Sequence, residues 1–142
     1  MLRNADCISF LLGKAYQHVN QAAKQRLAPY GVTPVQFALL NVLWAEDGLS
    51  GADLGVRLQL DSATITGVID RLAHIGLVER RPDPVDRRIN RVHLTVRGSA
   101  LQAPLSREIE QFNAEFFGKF SPADARRLQT MLALLGYVEE QP

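Results

Sequence analysis

The sequence predicts a mainly α fold with a small β wing: a winged helix-turn-helix of six helices and a two- to three-stranded sheet, dimerising through its N- and C-terminal helices. Three observations carry this expectation. A polar-capped amphipathic pattern runs through DSATITGVIDRLAHI, from Asp61 to Ile75. An extended segment broken by Pro82 and Pro84 follows it, LVERRPDPV. The basic stretch DRRINRVHLTVRG then leads from a second strand pattern into a threonine-capped helix.

Apolar residues Ile8, Leu11, Leu12, Ala15, Val19, Ala22 and Ala23 recur at helical spacing, so residues from about 5 to 28 read as one long amphipathic helix. Pro29, Tyr30 and Gly31 end it. Thr33 is placed to cap a second helix with Pro34 at its first position. That helix, PVQFALLNVLWA, is apolar nearly all round and is expected to be central. Asp47 and Gly48 stop it, and Ser50 with Asp53 three residues on opens a short third helix. Asp61 is the expected N-cap of the fourth, and Gly76 its terminator. Leu77–Arg81 and Arg88–Leu94 read as strands joined by a tight Pro-Asp-Pro loop, with Val92 and Leu94 on one face and Arg91 and His93 on the other. Thr95 caps a fifth helix reaching about Lys119, kinked at Pro104. Ser121 and Pro122 start a last one, with Leu128, Met131, Leu132 and Leu135 as its apolar stripe.

With 142 residues, the chain is expected to be a single domain. Residues of about 33–97 form the winged core, and those of about 5–30 and 98–138 the dimerisation helices. Composition is that of an ordinary globular protein, 46% hydrophobic and 22% charged. No apolar run approaches the roughly 18 residues that span a bilayer. Lys14 interrupts the apolar start of the chain, against a signal peptide. A single cysteine makes no internal disulfide, so a cytoplasmic location with no membrane partner is expected. There is no Gly-x-Gly-x-x-Gly, nucleophile elbow or paired acid–base cluster, so neither an enzyme nor a cofactor is expected. His18, His74 and His93 lack ligand spacing, so no metal site is expected.

The net charge of +1 is unevenly spread. Between Arg80 and Arg97 six arginines face two aspartates, a local excess of +4. The planar guanidinium fork suits phosphates and guanine edges better than an ammonium does. On the fourth helix Ile65, Val68, Ile69 and Leu72 form the apolar side; the opposite side carries Ala63, Gly67, Asp70, Arg71 and His74, flanked by Thr64 and Thr66. Glycine inside a helix costs about 1 kcal/mol relative to alanine. Gly67 therefore suggests close backbone approach by a partner, or a packing accident. Helix plus basic hairpin is a layout that places a helix in the major groove and a wing over its neighbour. A solvated hairpin and a protein-binding winged module are the competing readings.

The chain resembles the multiple antibiotic resistance regulator (MarR) family of bacterial repressors. The signature Asp-x-Arg, five residues, Leu-Thr-x-x-Gly is met by Asp86, Arg88, Leu94, Thr95 and Gly98. The Gly-Val-Thr-Pro-x-Gln-Phe entry to helix two and the run LSGADLGVRLQLDSATITGVIDRLAHIGLVERR also fit, so the resemblance covers essentially the whole chain. It implies a homodimer reading a pseudo-palindrome in double-stranded DNA, with half-sites about one helical turn apart. The implied DNA-contacting residues are Ser62, Ala63, Thr64, Thr66, Gly67 and Arg71 of helix four, with Arg81, Asp86, Arg87 and Arg88 of the wing. Asp86 is expected to orient an arginine; for Arg88 the alternative is an internal ion pair with Asp86.

The resemblance further implies a small organic effector, aromatic and anionic, such as a phenolic or aromatic carboxylate or its acyl-CoA thioester. The implied lining is Leu11, Lys14 and His18 of helix one with Phe37 and Trp44 of helix two. Phe37 and Trp44 as plain core and Lys14 as a solvated side chain are the alternatives. Redox sensing through Cys7 is another, because a helix N-terminus lowers a thiol pKa. Against it, the sensing cysteine of the family's organic hydroperoxide sensors falls on Ser9, and its tyrosine partners fall near Gly13 and Ala23.

Overall fold

A computed structural model describes residues 1–136. By contacts the chain divides into two compact units, Met1–Ser106 and a second beginning at Arg107. The last two residues of the expected 98–138 segment lie outside the described residues.

In the first unit a 3-10 turn over Asn4–Asp6 precedes α1 (Ile8–Leu27). The first helix therefore starts three residues later than its periodicity suggests, because Cys7 adopts extended backbone as the N-cap. A second 3-10 turn, Ala28–Tyr30, ends at Gly31 with φ +70°. Next come α2 (Pro34–Ala45), β1 (Leu49–Ser50), α3 (Gly51–Leu58), α4 (Ser62–His74), β2 (Val78–Pro82), β3 (Asn90–Leu94) and α5 (Val96–Ala100). α6 (Gln102–Phe117) begins in the first unit and runs into the second, which α7 (Pro122–Gly136) completes. The expected fifth helix is thus divided at Leu101. Pro104 is the third residue of α6, where its missing N–H removes no intrahelical bond, so it starts a helix rather than kinking one.

Local chemistry fixes the helix starts. Thr33 and Gln36 form a reciprocal capping box. Ser50 Oγ accepts from the Asp53 N–H at 3.1 Å, and Asp61 Oδ1 from the Thr64 N–H at 2.7 Å. α2 is apolar all round because it lies among α1, α3, α4 and β3. Its Leu39, Leu40 and Leu43 join Leu27, Leu54, Ile65, Val68, Leu72, Val78 and Val92 in the core. Burial of each such side chain stabilises by about 1.5–3 kcal/mol against exposure.

The sheet is three-stranded and antiparallel, in the order β1-β3-β2. Leu49 pairs with Val92, and the β2–β3 register runs from Val78–Leu94 to Pro82–Asn90. β2 is shifted one residue along the chain, β3 is two residues shorter, and the wing loop is longer than the sequence suggests. Pro82 belongs to β2, tolerated because β2 is an edge strand. β3 begins at Asn90 because Asp83–Ile89 is closed as a loop, the Asp83 N–H donating to the Ile89 carbonyl at 2.8 Å.

The step from sheet to α5 explains the Leu-Thr-x-x-Gly spacing. Thr95 Oγ1 donates to the Gly76 carbonyl at 2.7 Å and accepts from the Gly98 N–H at 3.1 Å. Its own N–H donates to the Leu77 carbonyl. A Cβ on Gly98 would lie 2.0 Å from that carbonyl oxygen, so no other residue fits. Trp44 Nε1 donates to the Gly98 carbonyl at 3.0 Å, tying α2 to the same point.

Candidate nucleic-acid interface

α4 presents the face its periodicity calls for. Ile65, Val68, Ile69 and Leu72 are buried; Ser62, Ala63, Thr64, Thr66 and Arg71 are exposed, and Gly67 is half-buried. Arg71 curls back along its own helix, and a Cβ on Gly67 would meet its guanidinium at 3.4 Å. The Asp61 carboxyl that caps α4 is held below its usual range, chiefly by the Thr64 N–H.

The wing is organised around a residue that the sequence reading passed over. Asp83 is only 6% exposed. Its Oδ1 accepts from the Val85 and Asp86 N–H groups at 2.8 and 2.9 Å, and its Oδ2 from Arg91 Nε. Arg91 in turn donates to the Gly48 carbonyl at 3.0 Å, joining the wing to the turn before β1. These donors, the Asp86 N–H first, hold the Asp83 carboxyl down at about 2. The signal available in sequence was Pro-Asp-Pro, a rigid turn around an aspartate able to bond its own backbone.

Carboxylates already engage most arginines of this face. Arg80 pairs with Asp70, linking β2 to α4, and Arg81 with Glu79. Arg88 donates to both Asp86 oxygens, Nε at 3.0 Å and Nη2 at 3.1 Å, which lowers the Asp86 pKa and raises that of Arg88. The internal ion pair weighed from the sequence is therefore present, with Arg88 90% exposed. Among the described residues, Arg87 of the wing and Arg71 of α4 have no carboxylate partner.

The residues expected around an effector are only partly brought together. Phe37 and Trp44 pack edge to face, ring centroids 5.9 Å apart. Leu11, Lys14 and His18 are exposed on α1; Lys14 Nζ lies 5.6 Å from the Phe10 ring centroid and 3.5 Å from Gln17 Oε1. Cys7 Sγ lies 3.1 Å from Ser9 Oγ, and that contact, with the Phe10 and Ser9 N–H groups, lowers the thiol pKa. Among the described residues no three His, Cys, Asp or Glu are grouped to hold a metal ion. No described helix is long and apolar enough to cross a membrane.

An exposed polar helix face beside an arginine-rich hairpin, on a three-helix core, defines a winged-helix DNA-binding protein. The MarR family model matches residues 32–89. The HTH-type transcriptional repressor NicR of Pseudomonas putida is 36% identical over 75% of this chain and 69% of its own. The structure of Bordetella bronchiseptica BpsR, whose DNA binding is regulated by 6-hydroxynicotinic acid, is 30% identical with a TM-score of 0.85, covering 100% of this chain and 99% of that one. Staphylococcus aureus MepR, solved in complex with DNA, shares the fold at a TM-score of 0.84 and 23% identity, over 91% of this chain and 96% of that one. The chain belongs to the MarR family and is a DNA-binding transcriptional regulator, not an enzyme.

Proposed function

We propose that the chain is a homodimeric repressor released from a pseudo-palindromic operator by a small aromatic carboxylate or its acyl-CoA thioester. The observation that carries the DNA half is the α4–wing face: an exposed row Ser62–Ala63–Thr64–Thr66 with Arg71 and Arg87 unpaired beside it. Residues 33–97 read DNA. Thr64 and Thr66 meet base edges, Arg71 meets a phosphate or base, and Arg87 enters the minor groove, while Asp86 orients Arg88. Arg81 adds phosphate contact after leaving Glu79. Residues 5–30 and 98–138 supply the dimer contacts. Supporting this, α1 exposes Ile8, Leu11, Leu12 and Tyr16, and α7 exposes Met131, Leu132, Leu134 and Leu135.

The effector half rests on relatives. BpsR responds to 6-hydroxynicotinic acid, a planar aromatic carboxylate, and NicR is a repressor. Lys14 or His18 would pair with the carboxylate, beside Leu11, Phe37 and Trp44. DNA-binding titrations test the proposal as a whole. If each protomer neutralises three to five phosphates, log K falls with log salt with a slope on the order of −5 to −9. A salt-independent affinity would leave the protein-binding reading of the winged module in place. Addition of 6-hydroxynicotinate should release DNA, and Cys7→Ser should not change that response. Release by peroxide that vanishes in Cys7→Ser would favour redox sensing instead.

A further inference from the structure

The outer surface of the wing loop mixes charge with bare apolar groups. Pro84, Val85, Arg87, Arg88 and Ile89 are exposed around the buried Asp83. Val85 is 95% exposed, more than any other large hydrophobic residue described after Met1. An isolated exposed apolar side chain is ordinary on a protein surface. Val85 differs in being held there. Its N–H donates to Asp83 Oδ1 at 2.8 Å, and Pro82 and Pro84 restrict the backbone on either side of Asp83. Ordering such a loop costs conformational entropy, and burial of the Val85 side chain returns none of it. The loop therefore fixes a β-branched apolar group in solvent two residues before Arg87, which has no carboxylate partner among the described residues. The neighbouring cations favour a polyanion as the surface that covers it. Proteins that enter the minor groove of DNA combine arginine with apolar side chains in this way.

We propose that Val85 is a specificity-determining residue of the wing: its methyl groups lie over the floor of the minor groove beside Arg87 and select A·T pairs against G·C. A G·C pair differs there by the guanine N2 amino group, a donor that A·T pairs lack. A valine over that amino group excludes its water and offers no acceptor, which leaves the donor unpaired at a cost. The acceptors that A·T pairs present, adenine N3 and thymine O2, are met by the Arg87 guanidinium, a group made of donors only. This rests on the wing entering the minor groove, as proposed above, and adds to it a base preference carried by an apolar side chain.

Duplexes enriched from a random library by the full wild-type chain supply the probe. Each adenine is replaced in turn by 2,6-diaminopurine, which adds the amino group to the minor-groove floor and leaves the major-groove edge of adenine in place. At one adenine or more, the change should weaken wild-type binding roughly 5-fold or more in anisotropy titrations, the loss expected for a mismatched pair. Val85→Thr keeps the branched shape but supplies a hydroxyl that accepts from the amino group, and should cut that penalty to below about 2-fold. Val85→Ile should retain it. Thermal unfolding should be the same in all of these proteins, because the side chain is exposed. A full penalty in Val85→Thr, or no penalised adenine in the wild type, would overturn the role of Val85; if Arg87→Ala still weakens binding, the wing stays in the groove. Loss of the penalty in Val85→Ile as well would overturn it too, as would an equal loss by Val85→Thr on plain and modified duplexes. Failure to enrich any duplex, or Arg87→Ala binding as tightly as the wild type, would overturn the wing reading and the role of Val85 together.

Discussion

Arg87 and Arg88 are neighbours of the same type, yet the wing holds them differently. Arg88 is tethered to both oxygens of Asp86, and Arg87 has no carboxylate partner among the described residues. Arg88 must share its guanidinium between Asp86, which orients it, and DNA, and an exposed pair is worth about 0–1 kcal/mol. Arg87→Ala should therefore weaken operator binding roughly 10-fold and Arg88→Ala only roughly 2- to 3-fold, measured by anisotropy at fixed salt. Equal losses would mean that the ion pair opens freely. Gly67 separates fold from function more sharply. A Cβ there meets only the mobile end of Arg71, at 3.4 Å. Gly67→Ala should thus stabilise α4 by up to about 1 kcal/mol in urea denaturation while weakening DNA binding. A variant that is both more stable and equally tight on DNA would show that no backbone approach occurs at Gly67. Thr64→Ala should reduce discrimination among operator bases, where one contact is worth roughly 1–3 kcal/mol, more than it reduces binding to random DNA.

At the scale of elements, the wing is a loop folded onto one carboxylate. Asp83 at about 2 in the folded wing lies below the roughly 3.9 of an unfolded aspartate. Its contribution is therefore complete above about pH 4 and is lost as pH falls from there through about 2. Amide exchange at Val85 and Asp86 should quicken across that interval while α2 amides stay protected, and Asp83→Ala should show fast exchange already at neutral pH. Unchanged Val85 and Asp86 protection down to pH 2 would count against Asp83 as the organiser. Most of this architecture was legible: helix caps at Thr33, Ser50, Asp61 and Thr95, the buried stripe of α4, and the order of elements all follow from local chemistry and period. The wing's interior was not, because the Asp83–Arg91 pairing joins residues across a hairpin whose register depends on closure of the loop itself. The same limit hid the Arg80–Asp70 link, which needs β2 to lie beside α4. Leu-Thr-x-x-Gly is the reverse case, a pattern visible at once whose reason is tertiary. Gly98→Ala must displace the Leu77 carbonyl from 2.0 Å and should cost about 3 kcal/mol or more in stability.

For the whole molecule, the exposed apolar residues of the terminal helices are the feature a single chain leaves unexplained. Met131, Leu132, Leu134 and Leu135 of α7 are 45–73% exposed, and Ile8, Leu11, Leu12 and Tyr16 of α1 are 38–68% exposed. Clusters of this kind are rare on monomeric surfaces and mark interaction sites. A second copy is the occupant that the proposed pseudo-palindromic operator would call for, since a two-fold dimer would present two α4 faces to two half-sites. Leu132→Glu places a charge on that α7 surface without disturbing the winged core, so the fold of residues 33–97 should survive it. Light scattering should then show the mass of one chain where the parent shows two. Binding to a full operator should fall by roughly 10²–10⁴, the gain that linking two binding modules confers, whereas binding to an isolated half-site should change little. Half-site binding lost in parallel would point to a damaged fold instead, which circular dichroism separates. A Leu132→Glu protein that remains a dimer and holds the full operator as tightly as the parent would move the interface away from this face of α7.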